Sequence, residues 1–394
     1  MYNLTMLVFD ATKPWIVLAP QLSGGIASAG TEAAADLARC LGILRAQAES
    51  TLHATPDAAS GGPTGSPLDL RDGGADAPEE DRPIIALNGA DQDGPGGYAW
   101  RVGDTRIEIW GDSRKGLADG VYDFLGALGF RWPTTGTEQI PPCPLGALYP
   151  LSRDNAHLSS HGESRKATRR LVLEGGLGGK EGEAWLRWAA RNRVDAVVIP
   201  FDLDDSTIEA LSDRVLRRRS RIVAAARRYG FSVEEGGRCL SRLVPRRLFF
   251  RHRDLFRMRE GKRTADFNFC PTNPETITLL WDQARRRFRD RQDVEVFHLW
   301  PDLADDGGWC SCPSCRAFSP SEQALIAVNA VADALAEVRN GGRLSYISDP
   351  YDSGAVKPRK NLIPVEEPRK KPEAVQDGAR DEWIFAYRSD RPYT

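Results

Sequence analysis

Residues 294–315 read VEVFHLWPDLADDGGWCSCPSC, a strand that runs into an acidic, glycine-rich turn and then into three closely spaced cysteines. Val294, Val296, His298 and Trp300 alternate with Glu295, Phe297 and Leu299, and both sets are largely apolar. A strand buried on both faces belongs in a parallel sheet covered by helices. After the cysteines, Ser319-Pro320-Ser321-Glu322 spells a capping box with proline at the first helical position. Leu325, Val328, Val331, Ala332, Leu335 and Val338 then form one face of an amphipathic helix that Gly341 ends. Strand, acidic loop, cysteines and helix make one βα unit.

The same alternation runs through the second part of the chain, from about His161. Strands are expected at 170–174, 194–201, 231–235, near Val294, at 344–347 and at 383–387. Helices are expected at 182–192, 208–229 and 275–289. Alternating strands and helices argue for a parallel sheet with crossover helices. A closed (β/α)₈ barrel takes ~250 residues. The segment 151–394 is barely that long and shows five or six repeats, which leaves open an incomplete barrel.

Residues 1–150 read instead as a small α+β domain. A strand at 15–19 precedes a helix capped by Thr31, with Ala33, Leu37, Cys40, Leu41 and Leu44 on one face. The tract at about 54–82, rich in Gly, Pro, Asp and Ser, is expected to be a flexible insertion. Strands follow at 83–87, 98–102 and 106–110. Asp112 or Ser113 then caps a helix that points Leu117, Val121, Phe124, Leu125 and Leu128 inward and stops at Gly129. Residues 133–144 carry four prolines and read as a linker. The expected class is α/β, an N-terminal α+β domain followed by a TIM-like (β/α) barrel.

With 394 residues, 41% hydrophobic and 27% charged, core size sets no limit. A net charge of −2 gives no overall pull toward nucleic acid or membrane. Arginines at 214, 217, 218, 219 and 221 share a helix with Leu211, Val215, Ile222 and Val223 on another face. They read as the solvated outside of the barrel rather than a nucleic-acid surface, since no base-stacking platform accompanies them. No basic stretch with a long apolar core opens the sequence, and no run of roughly 18 apolar residues occurs. Seven cysteines, three of them within six positions, do not look like a disulfide framework. The expectation is a cytoplasmic protein, with the oligomeric state unread.

Asp302, Asp305 and Asp306 crowd carboxylates at a strand tip, where like charges raise one another's pKa; the same Asp-Asp-Gly-Gly also makes an ordinary turn. Glu234 and Glu235 on strand three come next, with Asp202 after strand two, which can equally cap the following helix. Cys310, Cys312 and Cys315 can share a structural zinc with a fourth ligand such as His298 or Cys270, or form a reduced cluster. Trp300 and Trp309 bracket the acidic loop as sugar platforms or as core.

Several blocks carry a resemblance. They are Arg114-Lys115-Gly116-Leu117-Ala118-Asp119-Gly120-Val121-Tyr122-Asp123-Phe124-Leu125 with Gly129-Phe130-Arg131-Trp132, then Gly236-Gly237, Leu243-Val244-Pro245, and Cys270-Pro271-Thr272-Asn273-Pro274. The most specific is Asp306-Gly307-Gly308-Trp309-Cys310-Ser311-Cys312-Pro313-Ser314-Cys315. With these the chain resembles the bacterial family called domain of unknown function 4838, preceded by an N-terminal domain similar to that of α-glucuronidases and family 20 hexosaminidases. The resemblance implies a glycosidase-like barrel and a carbohydrate ligand. Glycoside hydrolysis needs two carboxyl groups. Asp306 or Asp305 is then the expected general acid, Asp302 or Glu235 its partner, and Trp300, Trp309, Arg238 and Asp202 the substrate contacts. Arg238 stands where the family pattern leads one to expect histidine, and 357–376 is proline- and charge-rich where later strands belong. The alternative is a non-catalytic carbohydrate-binding or assembly protein on a degenerate barrel.

Overall fold

The computed structural model describes residues 7–19, 29–52, 69–72, 83–89, 96–151, 168–173, 180–200, 213–302, 304, 308–348, 354–366 and 382–386. The first part runs β1 (Leu7–Asp10), β2 (Ile16–Ala19), α1 (Ala29–Leu52), β3 (Asp69–Asp72), β4 (Ile84–Gly89), β5 (Tyr98–Val102), β6 (Arg106–Gly111), α2 (Arg114–Ala127), β7 (Arg131–Thr134), β8 (Thr137–Gln139) and β9 (Leu148–Leu151). Its five-stranded sheet has the order β3-β2-β4-β6-β5, parallel except where β5 meets β6. Helices α1 and α2 pack side by side, and Ser113 caps α2 by accepting from the Gly116 N–H at 2.9 Å.

Two segments differ from expectation. Residues 69–72, inside the tract expected to be an insertion, form the edge strand β3 parallel to β2; the rest of that tract lies outside the described residues. The stretch expected to be a linker holds the β7–β8 hairpin and leads into β9, which returns antiparallel to β1.

The second part runs β10 (Arg169–Leu173), α3 (Lys180–Arg191), β11 (Ala196–Pro200), α4 (Asp213–Arg228), β12 (Ser232–Arg238), β13 (Met258–Arg259), β14 (Lys262–Arg263), α5 (Pro274–Arg289), β15 (Val296–Trp300), α6 (Pro320–Val338), β16 (Arg343–Ile347), β17 (Leu362–Val365) and β18 (Glu382–Ala386). Seven strands form one sheet in the order β17-β16-β15-β12-β11-β10-β18, and every pair in it is parallel. Among the described strands the sheet stays open between β17 and β18, so the barrel is incomplete. It is nonetheless strongly curled. β15 and β18 lie four strand spacings apart in the sheet, about 19 Å if it were flat, yet the Trp300 and Trp383 rings are 4.9 Å apart.

Alternation sorts the side chains of this sheet. Leu171, Leu173, Val197, Ile199 and Val233 point to the helices and join a core continuous with that of the first part. Phe297, Leu299, Leu344 and Leu362 do the same for α5 and α6. The capping box expected at Ser319 is present, with Ser319 Oγ accepting from Glu322 N–H at 3.1 Å and Glu322 from Ser319 N–H at 2.8 Å. β12 runs past the Gly236-Gly237 pair, where the sequence suggests it should stop. At Gly236 φ is +142°, and a Cβ there would lie 1.9 Å from the His298 carbonyl oxygen. Only glycine lets β12 lie this close to β15. No helix among the described residues is long and apolar enough to cross a membrane.

The two parts are joined by ion pairs and indole contacts. Arg191 of α3 grips Asp36 of α1 with Nε and Nη2, both at 2.9 Å, and the Tyr122 hydroxyl donates to the same carboxylate at 3.1 Å. Trp188 and Asn192 both donate to the Trp132 carbonyl, at 2.8 and 3.1 Å. Burial pushes the Asp36 carboxyl up, but Arg191, Arg39 and Tyr122 outweigh it and hold it below the usual range. Its contribution is therefore complete above about pH 4 and is lost as pH falls through its depressed value. Asp36→Asn is expected to lower the unfolding free energy by about 2 kcal/mol at pH 7. Urea denaturation should show that gap narrowing as pH falls below about 4; a gap that stays constant would contradict the ion-pair account.

Candidate functional site

The inner face of the curled sheet is polar at its centre. Arg170 on β10, Glu234 on β12, His298 on β15 and Ser345 on β16 are all buried, and all sit on the side away from the helices. Arg170 Nε donates to Glu234 Oε2 at 2.7 Å, and His298 Nε2 lies 2.7 Å from the same oxygen. His298 Nδ1 is 2.6 Å from Ser345 Oγ, which also receives the Trp300 indole N–H at 2.9 Å. One arrangement of protons satisfies every atom. With Glu234 ionised, Nε2–H donates to it, Nδ1 accepts from the Ser345 hydroxyl, and the hydroxyl oxygen accepts from Trp300. Burial pushes the Glu234 carboxyl up, but His298 and Arg170 outweigh it and hold it below the ordinary glutamate range. Trp383 completes the cluster, its ring 4.8 Å from the Arg170 guanidinium carbon and 5.2 Å from the His298 ring.

Above this network, β15 ends at Trp300 and the chain continues through Pro301 and Asp302. Arg238 donates to the Pro301 carbonyl at 3.0 Å, tying the tips of β12 and β15 together. The buried Asn268 holds the next residues: its Oδ1 accepts from Asp302 N–H at 3.0 Å, and its Nδ2 donates to the carbonyls of Asp302 at 3.2 Å and Gly308 at 3.1 Å. Gly308 is at φ +69°, and a Cβ on it would lie 2.9 Å from Asn268 Nδ2.

A second tie lies beside the first. The sulfurs of Cys270, Cys310, Cys312 and Cys315 all lie within 4.8 Å of one another, buried, in an arrangement that could hold a metal ion. Cys270 is 3.8 Å from Cys312 and 3.7 Å from Cys315. Four thiolates on a tetrahedral zinc, with Zn–S of about 2.3 Å, stand about 3.8 Å apart. The Met258 N–H donates to Cys310 Sγ at 3.2 Å. Cys310 and Cys315 hydrogen-bond to Cys270 and hold its thiol well below the cysteine range. The cluster staples the long β12–α5 excursion to the β15–α6 loop. Of the fourth ligands open in the sequence, Cys270 is in place, while His298 is committed to Glu234 and Ser345.

The other expected residues separate. Asp305, Asp306 and Asp202 lie outside the described residues; Asp302 stands at the strand tip. Glu235 is on the helix side of β12, where Arg219 at 2.8 Å and Arg291 at 3.2 Å take its two oxygens. Strand parity gives the interior to Glu234 instead. Trp300 faces inward, whereas Trp309 packs in the helix-side core with its ring edge-on to Phe269 at 5.7 Å. Arg170, Ser345 and Trp383 were not singled out from the sequence. Counting by twos from Trp300 identifies His298 on its own strand, but only the pairing register brings in the others.

A cavity of about 440 Å³ opens at the opposite end of the barrel, between the two parts, lined by Trp132, Arg169 and Arg193 among others. Its arginines already serve the junction, as with Arg193 on the Tyr98 hydroxyl at 2.8 Å. Barrel chemistry belongs at the other end, where the strands terminate. Removing the charge of Glu234 takes from the buried Arg170 the carboxylate that its Nε meets at 2.7 Å. Glu234→Gln is therefore expected to cost about 3 kcal/mol in chemical denaturation, and Glu234→Met with Arg170→Met to recover most of it. A neutral single variant would contradict this.

No family model and no curated protein sequence matches the chain. Solved structures do. An N-acetyl-β-hexosaminidase from Streptomyces plicatus is matched with TM-score 0.50 at 11% identity, over 96% of this chain and 71% of that one. A β-N-acetylhexosaminidase from Bacteroides fragilis is matched with TM-score 0.44 at 14% identity, over 92% and 68%. An exo-β-N-acetylglucosaminidase of glycoside hydrolase family 20 from Vibrio harveyi follows with 0.46 at 11%, over 93% and 56%, so this chain spans little more than half of that enzyme. At such identity the likeness carries the fold alone: an α/β chain with a parallel, incomplete barrel.

Proposed function

We propose that this chain acts on a glycan at the mouth of its barrel, as a hydrolase of glycosidic bonds. The observation that carries the reading is the polar and aromatic interior: Arg170, Glu234, His298, Trp300 and Trp383 converge beneath a strand tip that bears Asp302. Barrel interiors are ordinarily filled with branched apolar side chains, and hydroxyl-rich ligands need hydrogen-bonding groups beside aromatic faces. The resemblance to domain of unknown function 4838 and the substrates named for the matched hexosaminidases point to the same ligand class. In this proposal Asp306 or Asp305 is the general acid and Asp302 the partner carboxylate. Glu234 takes the place expected for Glu235, as the ionised group that holds Arg170 and His298. The seven unbridged cysteines fit a reducing compartment, and we place the protein in the cytoplasm.

One observation favours a second reading, that of a carbohydrate-binding protein without turnover. Glu234 is buried and already matched by Arg170 and His298, so among the described residues the interior supplies no second carboxylate free to attack. Assays on aryl glycosides, including glucuronides and N-acetylhexosaminides, separate the two. A hydrolase should turn over at least one of them and lose about 10²–10⁴-fold on Asp305→Asn or Asp306→Asn, whichever removes the acid. The loss should shrink for substrates with good leaving groups. Binding without turnover, or equal rates in wild type and both variants, would select the binding protein.

The four-cysteine cluster is, in the same proposal, a structural zinc site that fixes the acidic loop. Protein purified without chelators and under argon should contain about one zinc per chain, and a strong chelator should lower its melting temperature. Metal-free protein that melts identically with and without chelator would remove zinc from the picture.

A further inference from the structure

Phe267 sits where stability alone would not put a phenylalanine. Its backbone is at φ +48°, in the left-handed region that strains any residue with a Cβ and is ordinarily left to glycine or asparagine. The residue is 38% exposed, so burial returns only part of that cost. Strain of this kind persists only where neighbouring contacts enforce it, and it gathers at ligand sites.

Three contacts enforce it here. Arg246 donates to the Phe267 carbonyl. Arg257, fully buried, places its guanidinium carbon 5.0 Å from the ring centroid and is itself fixed by Asp266, at 2.7 Å through Nη2 and 3.2 Å through Nε. Asn268, the next residue, is the side chain that clamps Asp302 and Gly308. The ring therefore rests against a buried, paired cation, the residue keeps part of its surface exposed, and the residue next to it in the chain holds the strand tip. A pyranose presents a patch of C–H groups on one face, and a rigid aromatic ring receives that patch without losing side-chain freedom on binding.

We propose that Phe267 is a stacking platform for a sugar ring held against the Asp302 loop, and that its strained backbone is the means by which the ring is aimed. This rests on the reading that the mouth takes a glycan. The test uses the full chain and the 4-nitrophenyl glycosides of N-acetylglucosamine, glucose, galactose and glucuronic acid, with affinities from calorimetry and melting temperatures alongside. Phe267→Ala and Phe267→Gly should each weaken the best-bound glycoside about tenfold, and Phe267→Tyr should restore it. The glycine variant should melt above the alanine variant, because only glycine relaxes at positive φ. Wild-type affinity in the alanine and glycine variants would overturn the platform and leave the glycan reading standing. Failure of the wild type to bind any of the four would overturn the glycan reading and the platform with it. A glycine variant that melts no higher than the alanine variant would overturn the role assigned to strain.

Discussion

Arg170 and Glu234 meet inside the curled sheet at 2.7 Å, and the remainder of the interior is arranged so that neither charge is left alone. Glu234 takes a second contact from His298, Arg170 rests on Trp383, and the imidazole passes the hydrogen-bond chain on to Ser345 and Trp300. Such a pair is poor value for stability, since desolvating two charges offsets most of their attraction and an apolar pair of equal volume often does better. Its presence in place of Val or Leu is a departure that packing does not explain, and departures of that sort concentrate where a protein has work to do.

Two loops make the rim above this interior, and each is anchored independently of any strand ladder. The long excursion between β12 and α5 meets the loop between β15 and α6 through Asn268 and through the four sulfurs. Loops of this length are usually the least stable part of a domain. Here a buried amide and a buried thiol cluster hold them together, so the residues at the strand tip are placed by side chains far from them in sequence.

Much of this was legible because it is local. The βα alternation, the Ser319 capping box and the Ser113 cap depend on neighbours within four residues, and they fold as read. What depended on register was less so. Glu234 and Glu235 are adjacent and chemically alike; only the pairing of Glu234 with Val296 and Glu235 with Phe297 decides which one meets the interior. Trp309 looked like a partner of Trp300 by proximity to the aspartates, yet the turn at Gly308 sends it to the helix-side core. β17 escaped notice because a four-residue strand with a proline, in a charged neighbourhood, carries almost no periodic signal. The strain at Phe267 has no sequence signature, since nothing in the letters announces a positive φ.

The pairing of β10 with β18 has a temporal side. Arg170 and Trp383 lie opposite one another in that pair although roughly 200 residues separate them along the chain. Contacts so distant in sequence close late, and during synthesis β18 leaves the ribosome after every other strand described. Until then Arg170 lacks its aromatic partner, and the interior stays unfinished however well the earlier βα units have folded. A product cut short before β18 would keep the helix-side cores except for Ile384 and look folded by its helices, yet lack one wall of the cage. The order of the chain thus ties the finishing of the interior to the synthesis of β18.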